Sequence, residues 1–345
     1  MTLTIRPADL DRDRPELIRI FKSYLTPQFD GQRFEKFYCN GPDGPARAWI
    51  LRDEARDTLV GSAAAFPRRL YVDGKIRRGC VLGDFCIEEG YRSLGPAVRL
   101  QRACLEEANA SGFEFCYDFP SQSMMAVYQR LQISQTGVFW RWAKPLRIDH
   151  KIESLIPSKL VARGLSAAIN AALDCQVRYG SPAEICELQE HEGLCGSEFS
   201  RLDSELSGQA GVRTVRTAEY LNWRYFHHPE ARYEMMSARR GGVLIAYAIF
   251  LQEEKYASIV DLCSVEEAAV VRRLLAGVVE LLRQRDVLSV SLNAGDKHPW
   301  SPIFGRAGFR QREQAPLIVY TGPQSSSIGN VALWNWYLMR GDRDN

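Results

Sequence analysis

Short apolar runs separated by polar turns make up the first 145 residues of the chain. Helical apolar spacing predicts helices over residues 14–24, 96–110 and 123–131. An Asp73-Gly74 pair between two apolar runs predicts a tight hairpin turn. Alternation and apolar runs predict strands over residues 3–6, 49–51, 60–66, 70–72, 81–87, 113–119 and 136–142. This mixture of strands and helices predicts an α/β (α+β) domain.

The second half of the chain repeats the first in outline. Residues 243–247 match 59–63, Asp261 matches Asp84, and Phe304 matches Tyr128. The difference in residue number between matched positions changes by only one from the Asp84 match to the Tyr128 match. A helix and a strand lie between these matches, and chance similarity does not usually keep so constant a spacing across them. We therefore predict an N-terminal domain, a helical linker, a second domain and a tail, with bounds 1–148, 149–187, 188–323 and 324–345.

The linker has helical apolar spacing over residues 152–173. A helix packed between two domains accounts for this pattern more simply than contact with a membrane surface or with a long acyl chain. Peripheral membrane contact through this segment stays open as an alternative.

Composition and charge narrow the class of protein. The 345 residues are 46% hydrophobic and 25% charged, which is typical of a globular chain, and a net charge of +2 gives no reason to expect a nucleic-acid partner. The nine cysteines show no paired spacing, and the first residues show no apolar signal core. We expect a cytoplasmic protein without a transmembrane segment. Histidine and cysteine spacings predict no metal site.

A glycine-bearing turn between a predicted strand and a predicted helix gives the clearest local signal. It comprises Arg92-Ser93-Leu94-Gly95-Pro96-Ala97. Backbone N–H groups at the start of a helix favour anions, Gly95 permits close approach of a phosphate, and Arg92 can pair with a phosphate oxygen. The lysine and hydroxyl of a P-loop are missing. These residues fit a diphosphate cradle, although a purely structural turn would also explain glycine and proline here.

The spacing Arg92-x-x-Gly95-x-Ala97 after an apolar strand resembles the acetyl-coenzyme A signature of the GNAT superfamily of N-acyltransferases. The segment from Phe119 to Ile133 resembles that family's strand, short helix and closing motif, with Gln132-Ile133 where Gly-Phe is usual. A looser resemblance links the chain to bacterial GNAT proteins of polysaccharide biosynthesis.

The resemblance implies two tandem GNAT-like domains, each a mixed, mostly antiparallel sheet with a splayed parallel strand pair and flanking helices. It implies acetyl-coenzyme A or another acyl-coenzyme A as acyl donor, and no metal. The donor is expected to lie between strands 81–87 and 113–119. Its binding residues are expected to be Phe85, Ile87, Arg92, Ser93, Leu94, Gly95, Ala97 and Val98. Pro96 departs from a full set of donors because it has no N–H.

Two residues are candidates for the chemistry. Tyr128 stands where many relatives keep a tyrosine that protonates the leaving thiolate, and a packing role for its ring is the alternative. Asp84 is the candidate base for the attacking amine. Its match with Asp261 in the second half favours a structural role instead.

The second half lacks both the glycine-bearing turn and the tyrosine that could act as an acid. Its loop at 264–269 has two glutamates and no glycine, and Phe304 cannot donate a proton. We predict that this half binds no coenzyme A and shapes the acceptor site through Trp223, Arg224, Tyr225, His227 and His228, although core packing equally explains Trp223 and Tyr225.

The resulting hypothesis is an acyl-coenzyme A-dependent N-acyltransferase acting on a small-molecule or glycan amine, with an amino sugar as the candidate acceptor. An acyl carrier protein could serve as donor in place of coenzyme A. Two alternatives stay open: a Fem-type aminoacyltransferase that uses aminoacyl-tRNA, and a non-catalytic module that senses acyl-coenzyme A. The near-neutral charge and the intact 92–97 turn count against the Fem-type alternative.

Overall fold

The computed structural model describes residues 2–147, 185–265, 267–322 and 335–343. It has a mixed α/β fold in which helices flank one large, mostly antiparallel sheet. The strands are β1 (Leu3–Pro7), β2 (Arg47–Asp53), β3 (Thr58–Val72), β4 (Lys75–Ile87), β5 (Phe115–Asp118), β6 (Gly137–Pro145), β7 (Glu187–Glu190), β8 (Val212–Thr214), β9 (Tyr233–Arg240), β10 (Val243–Glu253), β11 (Tyr256–Ser264), β12 (Ser289–Gly295) and β13 (Arg310–Tyr320).

The helices occur in corresponding places in the two halves of the chain. Each half has a short α-helix that continues into a π-helical turn, over Glu35–Cys39 and Asn222–Phe226. Single 3₁₀ turns cover Glu89–Tyr91 and Arg340–Asp342. The α-helices are α1 (Arg14–Tyr24), α2 (Gly31–Phe34), α3 (Leu94–Ala110), α4 (Gln122–Arg130), α5 (Ser197–Glu205), α6 (Ala218–Leu221), α7 (Ala268–Gln284) and α8 (Ser301–Arg306).

The halves exchange their last strands. Strand β13 of the second half lies between β5 and β6, and β6 of the first half lies between β13 and β12. All of these strand pairs are antiparallel. Because each half contributes a strand to the other, a single path of paired strands runs through both halves. We expected a separate sheet in each domain. The observed exchange means that neither half completes its sheet alone.

Hydrophobic cores cover both faces of the sheet in each half. In the first half, α1 packs on one face through Leu17 and Ile20, and α3 packs on the other through Leu100 and Cys104. The buried side of α3 recurs every three or four residues, as a helix on a sheet requires. Helices α7 and α5 occupy the corresponding faces in the second half.

Most predicted elements of the first half are confirmed, with one instructive difference. The sequence predicts two short strands around Pro67, but β3 continues from Thr58 to Val72. Strand β2 pairs with β3 only as far as Ala65. Beyond that residue this edge of β3 has no hydrogen bonds to β2, so the lack of an N–H at Pro67 disrupts no pairing with β2. The hairpin turn at Asp73-Gly74 is confirmed by the pairing of β3 with β4.

Some expectations fall outside the residues that the structure describes. The linker helix over 152–173, and with it the suggested membrane contact, lies in the gap between residues 147 and 185. Among the described helices, none is both long and apolar enough to cross a bilayer. The domain bounds stay a prediction.

Candidate acyl-coenzyme A site

Strands β4 and β5 separate soon after they begin to pair. Their parallel register covers only Gly79–Val81 and Phe115–Tyr117. Beyond Val81, the edge of β4 that faces β5 has no strand partner, so its backbone N–H and C=O groups face the gap. This gap opens into a cleft of about 800 Å³.

Seven of the ten predicted site residues line this cleft. Its walls come from β4, the turn before α3, the residues after β5, and the segment that follows α1. Gly95, Val98 and Tyr128 do not line it. The predicted residues that do are Asp84, Phe85, Ile87, Arg92, Ser93, Leu94 and Ala97.

The N-terminus of α3 supplies free backbone donors at one end of the cleft. The first N–H groups of any helix have no partner within it. Pro96 has no N–H, and the Ala97 N–H reaches the Ser93 carbonyl at 3.3 Å. The amides of Ser93, Leu94 and Gly95 therefore remain available, whereas those of Ala97 and Val98 belong to the helical hydrogen-bond ladder. We expected all five to bind the diphosphate, and the structure favours the first three.

Space around Gly95 is open. A Cβ atom at this position would meet no heavy atom within 4 Å. Gly95 is exposed and its φ is not left-handed, so neither crowding nor backbone geometry within the described chain requires glycine here. A bound group that approaches the helix N-terminus closely would explain the glycine, because it would need the space of a side chain.

Arg92 is held beside the cleft by two contacts. Its Nε donates to the Ile87 carbonyl at 2.9 Å, and its guanidinium lies 5.3 Å from the centre of the Tyr24 ring. These contacts leave the two terminal nitrogens as donors for an anion. Glu88, one of two adjacent acids shortly before the turn, is paired with Arg19 at 2.8 Å. The Arg19 charge reduces the repulsion that Glu88 would otherwise exert on a diphosphate.

Asp84 lies at a β-bulge on the wall of the cleft. The register between β3 and β4 shifts between Ser62 and Ala64, and Asp84 has a left-handed φ of 48°. Bulges re-aim side chains and are frequent beside active sites. The Tyr38 hydroxyl donates to Asp84 Oδ2 at 2.6 Å, which fixes the orientation of the carboxylate.

Tyr128 lies behind the cleft wall. Its side chain is fully buried, and its hydroxyl donates to Asp118 at 2.6 Å and accepts from Gln101 at 3.1 Å. Burial, with the nearby Asp118 carboxylate, raises the pKa of Tyr128 well above its ordinary value, so the phenol is protonated at neutral pH. Asp118 and Gln101 both line the cleft. Direct contact of Tyr128 with a ligand would need a local movement, and its acid role stays a prediction.

The second half has the matching bond but a different neighbour. The Tyr225 hydroxyl donates to Asp261 at 3.1 Å, as Tyr38 does to Asp84. Asp261 also accepts from Arg216 at 2.9 Å. Arg216 lies two residues before the start of α6. The residue two before the start of α2 in the first half is Phe29, which lines the cleft.

The C-terminal segment 335–343 fills the corresponding gap in the second half. Met339 bridges to Ala294 of β12, and a Cβ at Gly341 would collide with the Tyr225 hydroxyl. The buried Asp342 carboxylate pairs with Arg216 at 2.9 Å. No cluster of three or more metal-binding side chains occurs in the described ranges.

Comparison with known proteins supports the fold. No protein-family model matches the chain, and no curated protein matches it. Solved structures do match over 92–93% of its length. The chain has the GNAT fold.

Three of these structures illustrate the likeness. A probable N-acyltransferase from Enterococcus faecalis has a TM-score of 0.66 at 11% identity, and 72% of that chain is covered. A GCN5-related N-acetyltransferase from Anabaena variabilis has a TM-score of 0.65 at 12% identity, with 73% covered. Saccharomyces cerevisiae N-myristoyltransferase with bound myristoyl-CoA has a TM-score of 0.56 at 12% identity, with 82% covered.

Sequence reasoning missed several residues of the cleft. Tyr24 ends the predicted helix α1, whereas Phe29 and Arg33 come from the segment around α2, for which we predicted no element. The signal was present in Asp30, which caps α2 by accepting the Arg33 N–H at 2.9 Å. Tyr38, which holds Asp84, lies in the π-helical turn that follows.

Proposed function

We propose that the first half of the chain transfers an acyl group from an acyl-coenzyme A to an amine. The proposal rests on one observation above the others, the cleft that opens where β4 leaves β5 and ends at the N-terminus of α3. Helix N-termini favour anions, and the unpaired edge of β4 offers N–H groups to a carbonyl oxygen. The GNAT fold of the neighbours supports the same assignment.

The chemistry assigns a place to each part of the donor. The diphosphate would lie on the Ser93, Leu94 and Gly95 amides, with the thioester between β4 and β5. The amine nitrogen attacks the thioester carbonyl carbon, a C–N bond forms, and the C–S bond breaks. An N–H near Phe85 or Ile87 stabilises the oxyanion while the bond changes proceed.

Two protons must move in this reaction. Asp84 is our candidate to take one from the ammonium acceptor, because it faces the cleft and Tyr38 holds its carboxylate. The thiolate needs the other. Tyr128, which bonds to two residues of the cleft wall, is the candidate source.

We further propose that the second half binds no coenzyme A. Segment 335–343 fills its gap, Arg216 pairs with Asp261, and Phe304 is fully buried where Tyr128 stands in the first half. Its function would then be to complete the sheet through β13 and to shape the acceptor side through Trp223 and neighbouring residues. An amino sugar stays the candidate acceptor, and the cytoplasm the expected compartment.

The direct test measures release of free thiol from acetyl-coenzyme A across a panel of amines. We expect turnover with at least one amine. Asp84→Asn and Tyr128→Phe should each lower kcat by about a hundredfold or more, the usual range for positioned acid–base groups, with little change in coenzyme A affinity. Binding of coenzyme A without turnover on any amine would favour the sensing module instead.

A further inference from the structure

The acyl-coenzyme A cleft passes through the sheet from one face to the other. Leu82, Ala97 and Met124 line the cleft and belong to the hydrophobic core that α3 covers. Phe29 and Phe119 also line the cleft, but they belong to the core that α1 covers on the opposite side of the sheet. We call these two sides the α3 face and the α1 face. The gap between β4 and β5 joins them.

This passage gives a bound donor a direction. In the acyl transfer proposed above, the diphosphate binds at the start of α3, where Ala97 lines the cleft on the α3 face. The thioester then lies in the gap between β4 and β5. The acyl group beyond the thioester carbonyl would therefore point toward the α1 face and meet Phe29 and Phe119.

The Phe29 ring is held by its neighbours. Phe29 is only 2% exposed. The centre of its ring lies 4.9 Å from that of Phe21 on α1 and 6.4 Å from that of Tyr38. The Arg33 guanidinium lies 5.5 Å from the same ring centre. Because protein cores are close-packed, these neighbours leave the ring little space to swing away from a bound chain.

The Phe119 ring is held in the same way. The centre of its ring lies 4.5 Å from that of Phe139 on β6 and 6.0 Å from that of Tyr117 on β5. The Arg343 guanidinium lies 5.3 Å from the same ring centre. Two packed aromatic rings therefore bound the apolar space that the cleft offers on the α1 face.

Charged groups border the same end of the cleft. Asp84, whose carboxylate accepts from the Tyr38 hydroxyl, lines the cleft, as does Arg33. A long alkyl chain that turned away from the two rings would lie against these charged groups. Charged groups lose hydration when an apolar chain covers them, and that cost opposes such a path.

We propose that Phe29 and Phe119 determine which acyl-coenzyme A is used, by limiting the acyl group to a short chain such as acetyl or propionyl. The inference rests on the proposed acyl transfer. An apolar pocket discriminates between chains that differ by one methylene by about 10–200-fold. A chain several methylenes longer would need the space that the two rings occupy, so it binds more weakly.

The test measures binding by the full chain without any amine, so it does not depend on turnover. Isothermal titration calorimetry would compare coenzyme A, acetyl-coenzyme A, butanoyl-coenzyme A and octanoyl-coenzyme A. We expect the parent chain to bind acetyl-coenzyme A at least tenfold more tightly than octanoyl-coenzyme A. Phe29→Ala or Phe119→Ala should reduce this preference at least tenfold. The preference is a ratio of two affinities, so a general loss of affinity for the coenzyme A moiety cancels.

Phe113→Ala is the matched control, because Phe113 is equally buried, belongs to the core on the α3 face and does not line the cleft. It should keep the preference of the parent. If truncation to alanine unfolds the chain, Phe29→Leu and Phe119→Leu are compared with Phe113→Leu, with butanoyl-coenzyme A as the longer donor.

The outcomes separate this inference from the proposed function. Equal affinity of the parent for acetyl- and octanoyl-coenzyme A would overturn the inference alone, as would an unchanged preference in the variants at both Phe29 and Phe119. Absence of binding by coenzyme A itself would contradict the proposed acyl transfer, and the inference with it.

Discussion

A carboxylate placed at Gly95 separates the function of the 92–97 turn from its stability. Gly95→Asp adds a negative charge at the first turn of α3, where a Cβ meets no atom within 4 Å. An acid in the first turn of a helix is stabilising by about 0.3–1 kcal/mol. The variant should therefore fold at least as stably as the parent chain.

The same charge should oppose a bound diphosphate. At a separation of about 5 Å in a water-like dielectric, each pair of like charges costs about 0.8 kcal/mol. A diphosphate with about two charges then loses about 1.7 kcal/mol, or roughly fifteenfold in affinity, and a lower local dielectric increases the loss. Isothermal titration calorimetry with coenzyme A measures this change directly.

Gly196→Asp provides the matched control. Gly196 is exposed, has open space around its Cβ position and is the N-cap residue of α5 in the second half, but it does not line the cleft. We expect Gly196→Asp to keep the coenzyme A affinity of the parent. Equal affinity in Gly95→Asp and the parent, with both variants folded, would refute the diphosphate cradle.

Three further predictions concern buried polar groups. Arg216→Met leaves two buried carboxylates without their cation, so the free energy of unfolding should fall by about 3–5 kcal/mol in urea titrations. Tyr38→Phe should lower kcat and Tyr225→Phe should not, because only the first removes the bond that holds Asp84 at the cleft. Burial holds the pKa of His298 at about 3, so the unfolded state binds more protons below its ordinary pKa of 6.5. Stability should fall by about 2 kcal/mol from pH 6.5 to 5, and His298→Gln should remove that part of the loss.

Local sequence patterns predicted the elements that local physics determines. Helix α1 has the predicted bounds, the Asp73-Gly74 turn joins two paired strands, and α3 starts two residues before the predicted start at Pro96. These features depend on apolar periodicity and on residues with special backbone preferences. The Asp84–Asp261 match also holds, since both lie on equivalent strands and bond to equivalent tyrosines.

The features that were missed depend on contacts between distant parts of the chain. The exchange of β6 and β13 cannot be recognised from either strand, because both have the same alternation whichever neighbour they pair with. The hydrogen bonds that hold the Tyr128 hydroxyl come from Asp118 and Gln101, which lie on other elements.

A crystal structure with acetyl-coenzyme A bound tests the central claim most directly. We expect diphosphate oxygens within about 2.7–3.2 Å of the Leu94 and Gly95 amide nitrogens, the usual range for such bonds. The thioester should lie between β4 and β5, and the second half should be empty of coenzyme A. A diphosphate bound away from the start of α3, or a donor molecule in the second half, would contradict the account.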